Sequence, residues 1–263
     1  MVWDTEVDVL CLGAGVGALA TAIAATDADA DVIIVSAAAH VPTNPSAALA
    51  NPGIWLPTAA DDETDQYFAA LVDGFAETAG AQGDTVPTRA AAERPEKIRT
   101  VATFVGARVA DWGAECLRSA TGAVFSTVRG WTVTEMLDTD GRAVLIAPVG
   151  DLVCRTGTDT EELHRALLSA AQARDIHVHL DHPLLRLVFE GGAVVGAVLG
   201  DPDGEWAIGA RHAVVFGPDV ADAADSAAED PLSRNLIDGD ARVCLVSIPG
   251  SRFARVELVS APA

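Results

Sequence analysis

Gly13-Ala14-Gly15-Val16-Gly17-Ala18 has the residue types and spacing of a nucleotide-binding turn, G-x-G-x-x-A. Gly13 permits a tight turn, and Gly15 lets a pyrophosphate approach the backbone. Ala18 is small enough for a following helix to pack on a sheet. A helix starting there presents its first N–H groups and the positive end of its dipole to phosphate. Gly13, Gly15, Gly17 and Ala18 are therefore candidate cofactor-binding residues. The pattern has this meaning only between a strand and a helix.

That context is present. Val7 to Leu12 is apolar apart from Asp8 and reads as a strand buried on both faces. Leu19 to Thr26 is alanine-rich and apolar all round, which suits a tightly packed helix. A polar connection, Asp27 to Asp31, leads to a second strand at Val32–Val35. Strand, turn, helix and strand within about 30 residues make a βαβ unit. The carboxylate that would hold ribose hydroxyls after the second strand is replaced by Ser36. Serine can make that hydrogen bond without its charge assistance, so Ser36 joins the candidates.

From Asp8 to Ala20 the chain resembles the opening of the flavoproteins typified by fumarate reductase, succinate dehydrogenase and 3-ketosteroid Δ1-dehydrogenase. The ketosteroid branch is the nearest in pattern. Ser46-Ala47-Ala48-Leu49-Ala50-Asn51-Pro52-Gly53-Ile54-Trp55-Leu56-Pro57 is similar to its flavin-contacting loop, and Asp61 to Leu71 to the helix that follows. Glu161 to Gly204 and Ala213 to Gly217 resemble later parts of the FAD domain, so the likeness covers 1–125 and 158–220. The resemblance implies FAD as cofactor, with Ser46, Ala47 and Gly53 along the flavin side. No histidine stands at the covalent attachment position, where Ser46 is the nearest match, so the FAD would be non-covalent. Three positions depart from the family pattern. Pro52 replaces a glycine, Gly217-Pro218 replaces a Gly-Gly pair, and Tyr67 is the only tyrosine where the ketosteroid enzymes rely on several.

The rest of the chain must position this machinery. Helices are expected at about 61–80 and 95–119, with a Gly/Gln/Thr/Pro stretch around 80–88 between them. Short strand signals occur near 123–128 and 143–147. Thr158-Asp159-Thr160-Glu161 resembles a capping box, and Leu163, Ala166, Leu167 and Ala170 form one apolar stripe of a helix. Strand-like runs follow at 176–180, 184–189, 194–199, 206–208 and 214–216, with Gly191-Gly192 and Asp203-Gly204 as turns of a meander. Residues 219–240 read as a linker or a weak helix. Two last runs, 242–248 and 253–259, flank Pro249-Gly250.

Lys plus Arg total 17 and Asp plus Glu 38, a formal charge of 17 − 38 = −21. This balance argues against nucleic-acid or anionic-membrane partners, which are bound through clustered Lys and Arg. Lys97 is the only lysine. Such a surplus fits adaptation to high salt or high-GC codon usage, and it bears on solubility, not on fold. An apolar share of 50% excludes a mostly disordered chain. The four cysteines are scattered without a C-x-x-C pair, which fits a reducing interior. With no signal-peptide pattern and no apolar run of about 18 residues, a soluble cytoplasmic protein is expected.

Other groups have blander readings. His177, His179 and His182 would share a strand face and a turn; a half-exposed face is expected there and no metal. Arg129 and Arg142 could bind a carboxylate or face solvent, and His40 sits in a loop. No G-x-S-x-G, H-E-x-x-H or Walker motif occurs.

The expected fold is α/β, a Rossmann-like FAD-binding fold with a mainly parallel sheet, a β-meander and a reduced cap lobe. Residues 1–60 and 151–263 would form the FAD domain and 61–150 the cap. Two functions remain open. One is an FAD-dependent oxidoreductase acting at a carbon–carbon bond next to a carbonyl, on a steroid-like or small acid substrate, alone or with a partner subunit. The other is a non-catalytic relative that serves as a binding or subunit-forming module. Homo- and hetero-oligomers are both compatible with the chain.

Overall fold

The apolar run at the amino terminus forms strand β1 (Thr5–Leu12), helix α1 (Val16–Thr26) follows the glycine turn, and β2 (Val32–Val35) returns parallel to β1. The computed structural model describes residues 2–37, 54–57, 59, 61–75, 85–93, 106–128, 132–218 and 241–261. Every residue of α1 from Val16 to Ile23 is buried, which accounts for a helix that is apolar all round.

After α1 and β2 come α2 (Asp62–Val72), β3 (Thr88–Glu93), α3 (Gly106–Arg118), β4 (Gly122–Phe125), β5 (Thr134–Asp138), β6 (Ala143–Cys154) and α4 (Thr160–Gln172). The chain then runs through β7 (Val178–His179), β8 (Leu184–Glu190), β9 (Ala193–Asp201), β10 (Gly204–Phe216), β11 (Ala241–Ser247) and β12 (Phe253–Ser260). Helix α2 is shorter than its periodicity predicts, because Gly74 takes φ +78° and ends it. The cap of α4 is Asp159, whose carboxylate accepts from Glu162 N at 2.7 Å, while the Thr158 hydroxyl turns back to Arg155 O. A charged acceptor suits the helix dipole better than a hydroxyl.

The sheet is mixed and not mainly parallel. Its order is β11-β6-β5-β3-β12-β4-β10-β1-β2-β7, with β9 on β10 and β8 on β9. Only β1–β2, β1–β10, β2–β7 and β3–β12 are parallel. The single βαβ unit predicts parallel pairing correctly for its own strands. Among the antiparallel pairs, β5–β6, β8–β9, β9–β10 and β11–β12 are joined by tight turns at Gly141, Gly191-Gly192, Gly204 and Gly250, all at positive φ, and such turns allow only antiparallel neighbours. Strands β11 and β12 also pair, so β11-β6-β5-β3-β12 closes into a ring. The meander β8-β9-β10 is as expected, except that the runs at 206–208 and 214–216 are one strand. Gly209, which looks like a break, lies under the Trp3 ring, where a side-chain carbon would come within 2.9 Å of the indole.

Apolar side chains fill both faces of the sheet. Val9 and Cys11 pack with α1, α4 and the ring strands, and Leu10 and Leu12 with Phe68, Trp112 and the meander. The described cysteines are buried free thiols, and burial pushes Cys11 and Cys244 up to about 12.

One buried charge organises the ring. Glu257 on β12 is fully buried and accepts from Arg89 Nη2 at 2.9 Å and Arg255 Nε at 2.7 Å. The Arg255 guanidinium lies 4.8 Å from the centre of the Trp112 ring, and Trp112 Nε1 donates to Phe253 O at 2.9 Å. Strands β3 and β12 are thereby joined to α3. Replacing Glu257 by Ala removes the carboxylate that Arg89 and Arg255 share and leaves these half-buried cations to Asp138 at 3.7 Å and Glu115 at 3.3 Å, so the folded state should lose about 1.5–3 kcal/mol. A denaturant titration of Glu257→Ala with an unmoved midpoint would refute this role.

Candidate cofactor site

The turn after β1 is held by backbone contacts that only glycine allows. Gly13 has φ +99°, where a side chain is strained, and its N–H donates to Val35 O at 2.8 Å. A carbon added at Gly13 would lie 2.2 Å from the Gly217 carbonyl oxygen. At Gly15 it would lie 2.5 Å from that of Pro218, and at Gly17 2.2 Å from that of Gly122. The ends of β10 and β4 thus close on the turn from two sides. Ala18 packs against Gly217, as its small size predicts.

Gly122 also links the turn to the loop before α2. A carbon there would meet the Trp55 ring at 2.9 Å. Trp55 Nε1 donates to Ser119 O at 2.9 Å, and Trp55 N to Leu117 O at 3.1 Å. The described part of that loop, Ile54 to Pro57, is therefore fastened to the end of α3 and to the strand that touches Gly17.

Helix α1 begins without a cap. Gly15 is its N-cap and has no side chain to offer, and no acidic residue stands in the first turn. The first helical bond runs from Leu19 N to Gly15 O, at 3.0 Å. Among the described residues no acceptor serves the N–H of Val16, Gly17 or Ala18, although all three residues are buried. Buried N–H groups need a partner. Three donors at the positive end of a helix suit an anion. Gly15 N is already committed, donating to Pro218 O at 2.9 Å, so Gly15 shapes the cradle while the three residues after it supply its donors.

A family model described as an FAD binding domain matches residues 8–233. The chain belongs to that family. FAD is the cofactor, and the residues present fit it: the N–H groups at the start of α1 are donors of the kind that could hold its diphosphate. No curated protein matches the chain. Among solved structures, it is similar to a 3-ketosteroid-Δ4-(5α)-dehydrogenase from Rhodococcus jostii RHA1, with 20% identity, TM-score 0.35, and 82% of this chain and 46% of that one covered. It is also similar to a flavocytochrome c3 fumarate reductase, with 18% identity, TM-score 0.36, and coverage of 81% and 34%. A 3-ketosteroid Δ1-dehydrogenase from Sterolibacterium denitrificans gives 14% identity, TM-score 0.32, and coverage of 81% and 48%. This chain spans less than half the length of each.

Ser36 stands at the end of β2 and is buried. Its N–H donates to His179 O at 2.9 Å and its carbonyl accepts from His182 N at 3.1 Å, which fixes it beside the turn after β7. Ser46, Ala47, Gly53, His40 and Arg129 lie outside the described residues, as does the segment 219–240. Arg142 is an exposed partner of Asp140 at 3.2 Å. His179 and His182 meet the Trp206 ring edge-on at 5.3 and 5.2 Å, and His182 Nδ1 lies 3.1 Å from Gly200 O. Tyr67 is wedged among Phe68, Phe189 and Phe216. An open cavity of about 590 Å³ lies at the other end of β1, between Asp8, Asp27, Phe125, Pro148 and Arg211. There Arg211 donates to Asp8 at 2.8 Å and holds its carboxyl down at about 2.

Two site residues escape the sequence reading. Gly122 follows an unremarkable turn and leaves no signal. His164 does leave one. It lies on α4 three, four and seven residues before Leu167, Leu168 and Ala171, all buried, so it is a polar residue on an apolar face. Its Nε2 lies 2.9 Å from Ala14 O, inside the glycine turn.

Gly17 has ordinary helical backbone, so Gly17→Ala tests the close contact with Gly122 alone. The added methyl forces the turn or β4 aside, an overpacking change of about 1–3 kcal/mol, and should weaken FAD binding as well. An unchanged unfolding midpoint with unchanged FAD affinity would show that the contact is slack.

Proposed function

We propose that the chain is the cofactor-holding part of an FAD-dependent oxidoreductase, a dehydrogenase or reductase working at a carbon–carbon bond next to a carbonyl. The observation that supports this reading most is the row of N–H groups on Val16, Gly17 and Ala18 that donate to none of the described residues, joined through Gly122 to the Trp55 loop. Bound there, FAD would supply hydride transfer, and the protein would supply position and electrostatics. The three N–H groups would hold the diphosphate and Ser36 a ribose hydroxyl. Ser46, Ala47 and Gly53 would line the flavin side, by the likeness of their loop to the ketosteroid branch. Residues 61–150 would serve as a reduced cap over a steroid-like or small acid substrate. A partner subunit that completes the active site is part of this proposal.

A second reading, a non-catalytic flavin-binding module, is favoured by Tyr67. Its hydroxyl accepts from Arg252 at 3.4 Å, and its ring is buried among phenylalanines. Burial pushes its pKa up. Held there, the only tyrosine of the chain is a packing residue and a poor proton donor or acceptor for a substrate.

The visible spectrum of the purified protein, before and after adding FAD, tests the shared premise. Flavin bands that stay with the protein through gel filtration are expected. Turnover of a 3-ketosteroid or of fumarate with an artificial electron carrier would then support the enzyme, and bound flavin without turnover the module. A protein that remains colourless in excess FAD would overturn both.

A further inference from the structure

The peptide group between Ala14 and Gly15 is held at both of its ends by remote parts of the chain. Its carbonyl oxygen lies 2.9 Å from His164 Nε2 on α4, and its N–H donates to Pro218 O, just past β10, at 2.9 Å. A carbonyl has no proton to give, so Nε2 must carry one. Burial pushes His164 below the ordinary histidine range, which leaves the neutral ring with its proton on Nε2. The side chain is 5% exposed, so the bond is shielded from competing water.

In a trans peptide the carbonyl and the N–H point in opposite directions. Two partners on opposite sides therefore fix the orientation of this one peptide plane. The next residues are Val16, Gly17 and Ala18, whose N–H directions follow from where the helix starts. We propose that His164 is a positioning residue for the phosphate cradle: by gripping Ala14 O against the pull of Pro218 on Gly15 N–H, it keeps the three N–H groups of Val16, Gly17 and Ala18 aimed together at the diphosphate. This rests on the FAD reading above and adds a residue that the glycine pattern does not contain. Preorganisation of this kind raises affinity without any contact to the ligand.

The bond joins residues 150 positions apart. It also couples α4 to the turn, so that a shift of α4 along α1 would turn the peptide and spread the donors.

Two variants separate the hydrogen bond from packing. His164→Leu keeps bulk and removes the donor. His164→Gln places an amide N–H where Nε2 stood. FAD titrations followed by flavin fluorescence should give a dissociation constant about tenfold higher for the Leu variant, the loss expected when a buried hydrogen bond goes unmade. The Gln variant should recover to within about threefold of the parent. Equal affinities for all three proteins would overturn the proposal, and so would a Gln variant as weak as the Leu one. If the parent chain itself binds no FAD, the cofactor reading fails separately. The proposal is then decided by amide exchange in the free protein, where Val16, Gly17 and Ala18 should exchange faster in the Leu variant and not in the Gln variant; unchanged rates would overturn it. Should the Leu variant not fold, nitrogen-15 shifts of His164 in the parent give the answer. A ring protonated on Nε2 supports the grip on Ala14, and one protonated on Nδ1 contradicts it.

Discussion

Three glycines within five residues each face a backbone carbonyl or a proline from elsewhere in the chain, and the closeness of those contacts governs the layout of the protein. Gly13 meets Gly217, Gly15 meets Pro218, and Gly17 meets Gly122. A single methyl at any of these positions would collide with main chain, which cannot step aside as a side chain can. Because β10 and β4 must come this near, β1 and β10, after a register shift between Val7 and Val9, pair to their ends, Leu12 beside Phe216. Helix α1 then departs over the sheet at one angle only. The same closeness explains why α1 starts on a residue without a side chain and why its first N–H groups meet no acceptor among the described residues.

The remainder of the fold supports that corner. Helix α1 is enclosed by the sheet, by α4 and by the ring strands β6, β11 and β12, so its small residues are what the space admits. The ring is kept closed by main-chain pairing and by Glu257 between Arg89 and Arg255. On the opposite face, the Thr64 hydroxyl accepts from Leu187 N at 2.8 Å and so ties α2 to the meander. That Asp61 caps the same helix, accepting from Thr64 N at 2.9 Å, shows one short motif serving both the helix start and its attachment. With a charge of −21, an anionic cofactor gains nothing from the overall field. It must be attracted locally, by the dipole and donors of α1.

What could be read in the sequence was the local part. The strand at Val7–Leu12, the turn and the helix follow from hydrophobicity and glycine spacing within two dozen residues, and the meander from its Gly191-Gly192 and Gly204 turns. The sheet is less parallel than its βαβ unit suggests, because the antiparallel pairing of β11 with β6 and of β4 with β10 links distant segments and has no local signature. Strand β3, Thr-Arg-Ala-Ala-Ala-Glu, lacks β-branched residues beyond Thr88; it is a strand because Leu258, Val259 and Ser260 pair with it, and tertiary context overrides a weak propensity. In the candidate site, the turn residues were legible and their partners were not. Gly122, Pro218 and His164 are brought to the turn by the fold; Gly217-Pro218 is marked in the sequence only as a departure from the family's Gly-Gly pair, and His164 as a polar side chain on a buried helical face.

The idea on which the rest stands is that the bare N–H groups of Val16, Gly17 and Ala18 are the diphosphate cradle. Amide nitrogen–proton spectra of the labelled protein, recorded while FAD is added, test it most directly. The three signals should move together, ahead of the rest of α1, and their exchange with solvent should slow as FAD saturates. FAD that binds while these three amides stay unperturbed, with the changes centred elsewhere, would contradict it.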